Sequence, residues 1–79
     1  MDFYADWCGP CQMLMPTIEE IANEKEGEIK VGKVNVDEQP ELAQQFRVMS
    51  IPTLIAFRDG EAVNMTMGVQ PKEDILALF

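Results

Sequence analysis

Hydrophobic and polar positions along the chain predict seven elements, in the order β-α-β-α-β-β-α. The predicted strands are short runs of strand-type residues, at 1–5, 29–36, 54–57 and 62–67. The predicted helices carry apolar residues three to four positions apart, at 12–26, in a short stretch that ends near 46, and from 71 onward. The chain is therefore predicted to have an α/β fold.

The order of these elements predicts one mixed sheet. A long helix between the first two strands makes them parallel, with a right-handed crossover. Asp59-Gly60 is a typical tight-hairpin signal and returns the last strand antiparallel to its neighbour. Residues 29–36 place apolar side chains on both faces, as in a strand covered on both sides. We therefore expect a four-stranded mixed sheet with helices on both faces, in a single domain over residues 1–79.

The charge balance limits the classes of partner. Acidic residues outnumber basic ones by 14 to 6, and the formal net charge is −8. Nucleic acids and anionic membranes bind basic patches, so this balance argues against both. No apolar run approaches the ~20 residues of a membrane-spanning helix, and no basic, apolar leader precedes the first strand. These features predict a cytoplasmic protein with no nucleic-acid or membrane partner.

The two cysteines of the chain, Cys8 and Cys11, form a Cys-x-x-Cys pair between the first predicted strand and the first predicted helix. A bridge between them closes too short a loop to staple the fold. The chain has no histidine, and zinc needs about four ligands. A metal site would therefore require the cysteine pairs of two subunits, and we expect none in one chain. In a reducing compartment such a pair is more often catalytic than structural.

The predicted position of the pair suggests different tasks for its two thiols. Cys8 precedes the first turn of the helix, where backbone N–H groups lack partners and the helix dipole is positive. That position favours the thiolate, which is the species that attacks a disulfide. Cys11 is expected to lie deeper and to act second, on the mixed disulfide. Gly9 adds little bulk between the sulfurs, and Pro10 suits the first turn of a helix.

Several segments resemble the thioredoxin family. They are Asp2-Phe3-Tyr4-Ala5-Asp6-Trp7-Cys8-Gly9-Pro10-Cys11, Lys33-Val34-Asn35-Val36-Asp37, Ile51-Pro52-Thr53, Asp59-Gly60 and Gly68. Their spacing is also similar to that of the family, so the resemblance spans nearly the whole chain. It implies a thioredoxin-like fold without the first strand and helix of the family. It also implies a thiol-disulfide oxidoreductase that reduces disulfides in proteins.

The resemblance implies a role for each matching residue. Cys8 and Cys11 match the nucleophile and the resolving thiol, which together form the redox-active disulfide. Asp2 matches a buried carboxylate that moves a proton to and from the second cysteine, and Lys33 matches the lysine paired with it. Pro52 matches a cis-proline that faces the disulfide. The expected substrate-binding residues are Trp7, Gly9, Pro10, Ile51, Pro52, Gly68 and Val69.

The resemblance also implies partners. Substrates would be disulfide-containing proteins, and electrons would come from a flavin- and NADPH-dependent thioredoxin reductase, so the chain itself needs no cofactor. Without the first strand of the family, the 29–36 strand is expected at an exposed edge, open to a homodimer or strand exchange. A binding module with little or no redox turnover and a metal- or cluster-bridged dimer are the alternative functions.

Two further expectations concern burial. Asp2 lies beside the amino terminus, where fraying of the strand is expected to hydrate its carboxylate. Four of the six methionines are expected to fill the core: Met13, Met49, Met65 and Met67.

Overall fold

Four strands and three helices follow one another in the predicted order in the computed structural model, which describes residues 1–79. The strands are β1 (Asp2–Tyr4), β2 (Lys33–Asn35), β3 (Thr53–Arg58) and β4 (Glu61–Met67). The helices are α1 (Gly9–Glu24), α2 (Pro40–Gln45) and α3 (Lys72–Leu76). No helix of the chain is both long enough and apolar enough to cross a membrane.

The sheet has four strands in the order β2-β1-β3-β4 and is mixed, as predicted. β1 runs parallel to β2 and antiparallel to β3, and β3 and β4 form the predicted hairpin. Asp59 and Gly60 both have positive φ, 53° and 83°, which is the backbone that this tight turn requires. β1 is therefore a central strand, and β2 lies at an edge, as the sequence predicted.

β2 is shorter than the predicted 29–36 strand. Its parallel partner β1 offers only three residues, so the ladder extends from Lys33 to Asn35 and no further. The beginning of the predicted strand is instead bound to the end of α1, where the N–H of Ile29 donates to the carbonyl of Lys25 at 2.8 Å. The apolar side chain of Val31 packs against the core beneath α1 and α3, so the apolar pattern of residues 29–31 reflects packing and not strand pairing.

The core lies on both faces of the sheet. On one face, α1 and α3 pack on β3 through a buried cluster of Leu14, Ile18, Ile21, Leu54 and Ile75. On the other face, α2 packs on the sheet through a cluster of Phe3, Val34, Ala43 and Ile55. Leu54 and Ile55 are consecutive, so their side chains leave β3 on opposite faces. The predicted covering of both faces is confirmed.

The expectation that four methionines fill the core is wrong. The exposed fractions are 71% for Met13, 93% for Met49, and 53% each for Met65 and Met67. β4 is an edge strand whose residues are exposed except for the half-buried Thr66. Its apolar positions therefore face solvent although their spacing is typical of a strand.

Candidate active site

Cys8 and Cys11 lie at the amino-terminal end of α1, where they are joined by a disulfide. Cys8 is the N-cap residue, with extended backbone dihedrals of φ −88° and ψ 108°. Its Sγ accepts the backbone N–H of Cys11 at an N-to-Sγ distance of 3.2 Å. The Cys8 residue is 5% exposed and Cys11 is 2% exposed, so Cys11 is the deeper of the two.

The electrostatics of this helix end favour a thiolate at Cys8 once the bridge is reduced. The first turn of α1 contains no acidic residue that would oppose a negative sulfur. The helix end carries partial positive charge, and its free N–H groups bind anions. Pro10 lies in this first turn, where its missing N–H leaves no hydrogen bond unmade.

The loop before β3 lies against the disulfide. The Ile51–Pro52 peptide bond is cis, as the resemblance predicted. The carbonyl oxygen of Ile51 is 3.9 Å from the Sγ of Cys8. The carbonyl of buried Pro52 accepts the N–H of Gly68 at 2.8 Å, which holds the end of β4 beside this loop. Four predicted site residues, Cys8, Ile51, Pro52 and Gly68, are thus brought together.

Exposed apolar side chains surround the disulfide. Trp7 is 71% exposed and Val69 is 46% exposed, while Gly9 and Pro10 are also at the surface. Beside Trp7 is an apolar cavity of about 190 Å³, which we call the side cavity. Its lining is Trp7, Val36, Ala43, Val48, Met49, Ser50 and Ile51. This surface can receive the apolar side chains that flank a disulfide in a partner protein.

Asp37 fixes the exposed indole of Trp7, a contact that the sequence analysis missed. The Nε1–H of Trp7 donates to Oδ2 of Asp37 at 2.7 Å. Buried Asn35 shapes the turn that carries this carboxylate, because its Oδ1 accepts the N–H groups of Asp37 and Glu38 at 2.9 and 3.3 Å. The parallel pairing of β1 and β2 was the available signal, since their carboxyl ends bring Trp7 and Asp37 to the same edge.

Asp2 is buried, and the expected hydration of its carboxylate is wrong. The residue is 3% exposed, and its Oδ1 has no hydrogen-bond partner. The strand end is held by the amino-terminal ammonium group, which donates to the carbonyl of Ile55 at 2.7 Å, so β1 begins beside its partner. Burial raises the pKa of the Asp2 carboxyl above its ordinary value, and the charges of the amino terminus and Lys33 only partly offset this effect.

The expected ion pair between Lys33 and Asp2 is absent. The Nζ of Lys33 lies 3.9 Å from Oε1 of Glu19 on α1 instead. Lys33 begins an edge strand and its side chain is 38% exposed, so its ammonium group stays hydrated at the surface while Asp2 is buried. Lys33 therefore affects the Asp2 carboxyl through longer-range electrostatics only.

The raised pKa of Asp2 predicts the effect of Asp2→Asn on stability. A protonated Asp2 stabilises the fold at acidic pH, and this contribution is lost as the pH rises through the folded-state pKa. At pH 7 the neutral amide should therefore stabilise the chain by about 1 kcal/mol, or ~4–8 °C in Tm. Below the ordinary Asp pKa of 3.8 the gain should vanish. Thermal unfolding at both pH values measures it; Asp6→Asn, at an exposed position, is the control. An equal gain at both pH values would contradict the linkage.

Comparison with known proteins agrees with the geometry of the site. The family model that matches the chain is that of thioredoxin, and it matches residues 1–79. The thioredoxin of Staphylococcus saprophyticus is 52% identical over 75 residues, which are 95% of this chain and 72% of that protein. The thioredoxin of Staphylococcus aureus is 51% identical over 75 residues, which are again 95% of this chain and 72% of that protein.

A solved structure shares the fold. The crystal structure of oxidised mitochondrial thioredoxin 3 from Saccharomyces cerevisiae superposes with a TM-score of 0.89 and 31% sequence identity. The superposition covers 98% of this chain and 72% of that one. The bonded Cys8–Cys11 pair and these relatives establish a thiol-disulfide oxidoreductase that reduces disulfides in proteins. The chain, with its Cys-x-x-Cys pair at the start of α1 and its cis-proline loop beside it, belongs to the thioredoxin family.

Proposed function

We propose that Cys8 is the nucleophile and Cys11 the resolving thiol of this reductase. The Cys8 thiolate attacks one sulfur of the substrate disulfide, whose S–S bond breaks, and a mixed disulfide forms while the leaving sulfur takes a proton. The Cys11 thiolate then attacks the Sγ of Cys8 and releases the second substrate thiol. The substrate gains two electrons and two protons, and Cys8 and Cys11 lose them as their bridge forms.

One observation carries this assignment of roles. The Sγ of Cys8 is the N-cap acceptor of α1 and lies beside the Ile51 carbonyl, whereas Cys11 is one turn further along the helix. A negative sulfur at Cys8 would gain the helix-end electrostatics and would face the loop where an extended substrate segment docks. Cys11 would reach only the sulfur of Cys8.

We assign Asp2 as the group that exchanges a proton with Cys11 in the second step. The attack by Cys11 requires loss of its proton, and the raised pKa makes the buried Asp2 carboxylate a stronger base than an exposed one. The carboxylate oxygen without a partner could act through a water molecule. Lys33 would modulate this carboxyl from the surface, as its charge does at longer range.

The proposed docking surface is the apolar rim around the disulfide. The backbone of Ile51 would pair with an extended substrate segment, in the manner of strand addition. The side chains and backbone that would contact the substrate are those of Trp7, Gly9, Pro10, Pro52, Gly68 and Val69. Cleavage would then require only that the substrate disulfide lie over Cys8.

We infer the source of the electrons from the family. Members of the thioredoxin family are themselves reduced by a separate flavin- and NADPH-dependent enzyme, thioredoxin reductase. We propose the same partner for this chain, and the cytoplasm as the compartment. The chain would need no bound cofactor, because the dithiol carries both electrons. Pairing with a second copy along the outer edge of β2 stays a prediction, for which three strand residues are available.

Selective alkylation tests the assignment of roles. The reduced chain is treated with limiting iodoacetamide at neutral pH, and the label is located by peptide mass. Cys8 should carry at least about tenfold more label than Cys11, because the helix end favours its thiolate and it is the less buried of the two residues. The same treatment in denaturant is the control and should label both cysteines alike. Equal labelling of the folded chain, or preference for Cys11, would overturn the assignment.

A further inference from the structure

Two exposed methionines flank the loop that lies against the disulfide. Met49 is 93% exposed, lies two residues before Ile51, and lines the side cavity. Met67 is 53% exposed, pairs with Thr53 across the sheet, and directly precedes Gly68. Neither residue has a role in the dithiol chemistry. Both thioethers are nevertheless placed where a docked protein would cover them.

Hydrogen bonds hold Met67 to this loop. The Ser50 hydroxyl donates to the Sδ of Met67, with an oxygen-to-sulfur distance of 3.4 Å. The adjacent N–H of Gly68 donates to the Pro52 carbonyl. The sulfur of Met67 is therefore tied to the segment that presents the Ile51 backbone to a substrate.

We propose that Met49 and Met67 are modification sites, at which oxidation by a hydroperoxide weakens the docking of protein substrates. This inference rests on the proposed docking surface around Cys8. It adds a second redox chemistry to the same face of the molecule, in which the thioethers rather than the thiols react.

The reaction balances with hydrogen peroxide as the oxidant. A lone pair of the thioether sulfur attacks one peroxide oxygen, the O–O bond breaks, and that oxygen stays on the sulfur as a sulfoxide while water leaves. The sulfur loses two electrons and the peroxide gains them. A thioether needs no deprotonation, and exposure governs its susceptibility. The Cys8–Cys11 bridge presents no thiolate, so the methionines are the open targets in the oxidised chain.

The sulfoxide changes the chemistry of the rim. Methionine is apolar and polarisable and adapts to many surfaces, whereas its sulfoxide is polar. A protein that covers a sulfoxide removes its polar oxygen from water. Unless the protein offers a hydrogen-bond donor to that oxygen, the desolvation cost opposes docking. A small disulfide touches only Cys8 and should be indifferent to the change. The predicted effect therefore lies in KM for proteins and not in the chemical step.

The test uses the disulfide form of the full chain. It is treated with hydrogen peroxide, the added oxygens are located by peptide mass, and the bridge is then reduced with dithiothreitol. Reduction of insulin and of a small aromatic disulfide is measured before and after treatment. KM for insulin should rise about 3- to 10-fold when Met49 and Met67 carry oxygen, and the rate with the small disulfide should not change.

Leucine variants identify which methionines matter. A double variant, Met49→Leu with Met67→Leu, has its own KM for insulin, and peroxide should leave that value unchanged. The matched control, Met13→Leu with Met65→Leu, removes exposed methionines that neither line the side cavity nor contact Ser50. It should respond to peroxide as the parent chain does.

The outcomes separate this inference from the proposed function. Oxidation of Met49 and Met67 with an unchanged KM for insulin would overturn the inference, and so would an equal rise of KM in the double leucine variant. If a Cys8→Ser variant reduced insulin without any peroxide treatment, the proposed function would fail instead, whatever the effect of peroxide.

Discussion

Cys8→Ser is expected to abolish the reduction of protein disulfides, whereas Cys11→Ser is expected to trap a covalent complex with the substrate. A serine hydroxyl at position 8 is not ionised near neutral pH, so nothing attacks the substrate sulfur. Dithiothreitol-driven insulin reduction should fall at least about a thousandfold. In Cys11→Ser the first attack still proceeds, but no second thiol lies behind Cys8 to release the substrate.

The two variants serve as matched controls for each other, because each replaces one sulfur by oxygen at one end of the same bridge. Non-reducing electrophoresis and intact mass should show a mixed disulfide with Cys11→Ser and none with Cys8→Ser. Circular dichroism should show the same helix content in both. Trapping by Cys8→Ser alone would reverse the assigned roles, and retained turnover in Cys8→Ser would place the chemistry elsewhere.

The elements predicted best from the sequence are those with local signals. The amphipathic pattern over 12–26 located α1, but the helix begins earlier, at Gly9. Its first turn is set by the N-cap at Cys8 and by Pro10 rather than by the spacing of apolar residues. Asp59-Gly60 located the hairpin between β3 and β4. β2 was predicted too long, since strand ends depend on the partner strand, and β1 supplies only three residues.

The site divides in the same way. The cysteine pair and the cis Ile51–Pro52 bond follow from contiguous motifs, and both lie where the sequence predicted. The surroundings of Asp2 depend on four distant segments that line the same cavity, at 18–21, 29–31, 54–56 and 75–79, so its burial could not be inferred from a position beside the amino terminus. Lys33 has the right position in the sequence, but its long side chain reaches Glu19 on α1.

Exposure of the methionines was the least predictable feature. Alternation along a strand tells which residues share a face, but not whether anything covers that face. β4 lies at the edge of the sheet, so Met65 and Met67 remain at the surface. Met67 and the exposed Met49 therefore make the surface around the disulfide richer in sulfur than the family motifs alone indicate.

Phe3→Ala is expected to produce the largest loss of stability, because Phe3 lies at the centre of the sheet. Its residue is 0% exposed, and β1 is hydrogen-bonded on both sides, with Phe3 in register with Val34 and Thr53. Its ring also packs against Phe46 at a centroid distance of 6.0 Å. Removing a buried phenylalanine ring costs about 3–5 kcal/mol, as transfer and cavity terms add. The total free energy of unfolding expected for a chain of 79 residues is roughly 4–12 kcal/mol.

Phe79→Ala is the matched control, since it makes the same chemical change at a residue that is 45% exposed. Urea unfolding, followed by circular dichroism, should show a loss of at most about 1 kcal/mol for this variant and a loss several times larger for Phe3→Ala. The loss should also reach the active site, because β1 leads to Cys8, whose N–H donates to the Ala5 carbonyl at 3.2 Å. In Phe3→Ala the preference of iodoacetamide for Cys8 should therefore decline before the chain unfolds globally. Similar losses of unfolding free energy in the two variants would mean that β1 does not organise the core. If Phe3→Ala were destabilised but kept the full preference of iodoacetamide for Cys8, the helix end would hold the Cys8 thiolate without support from the sheet.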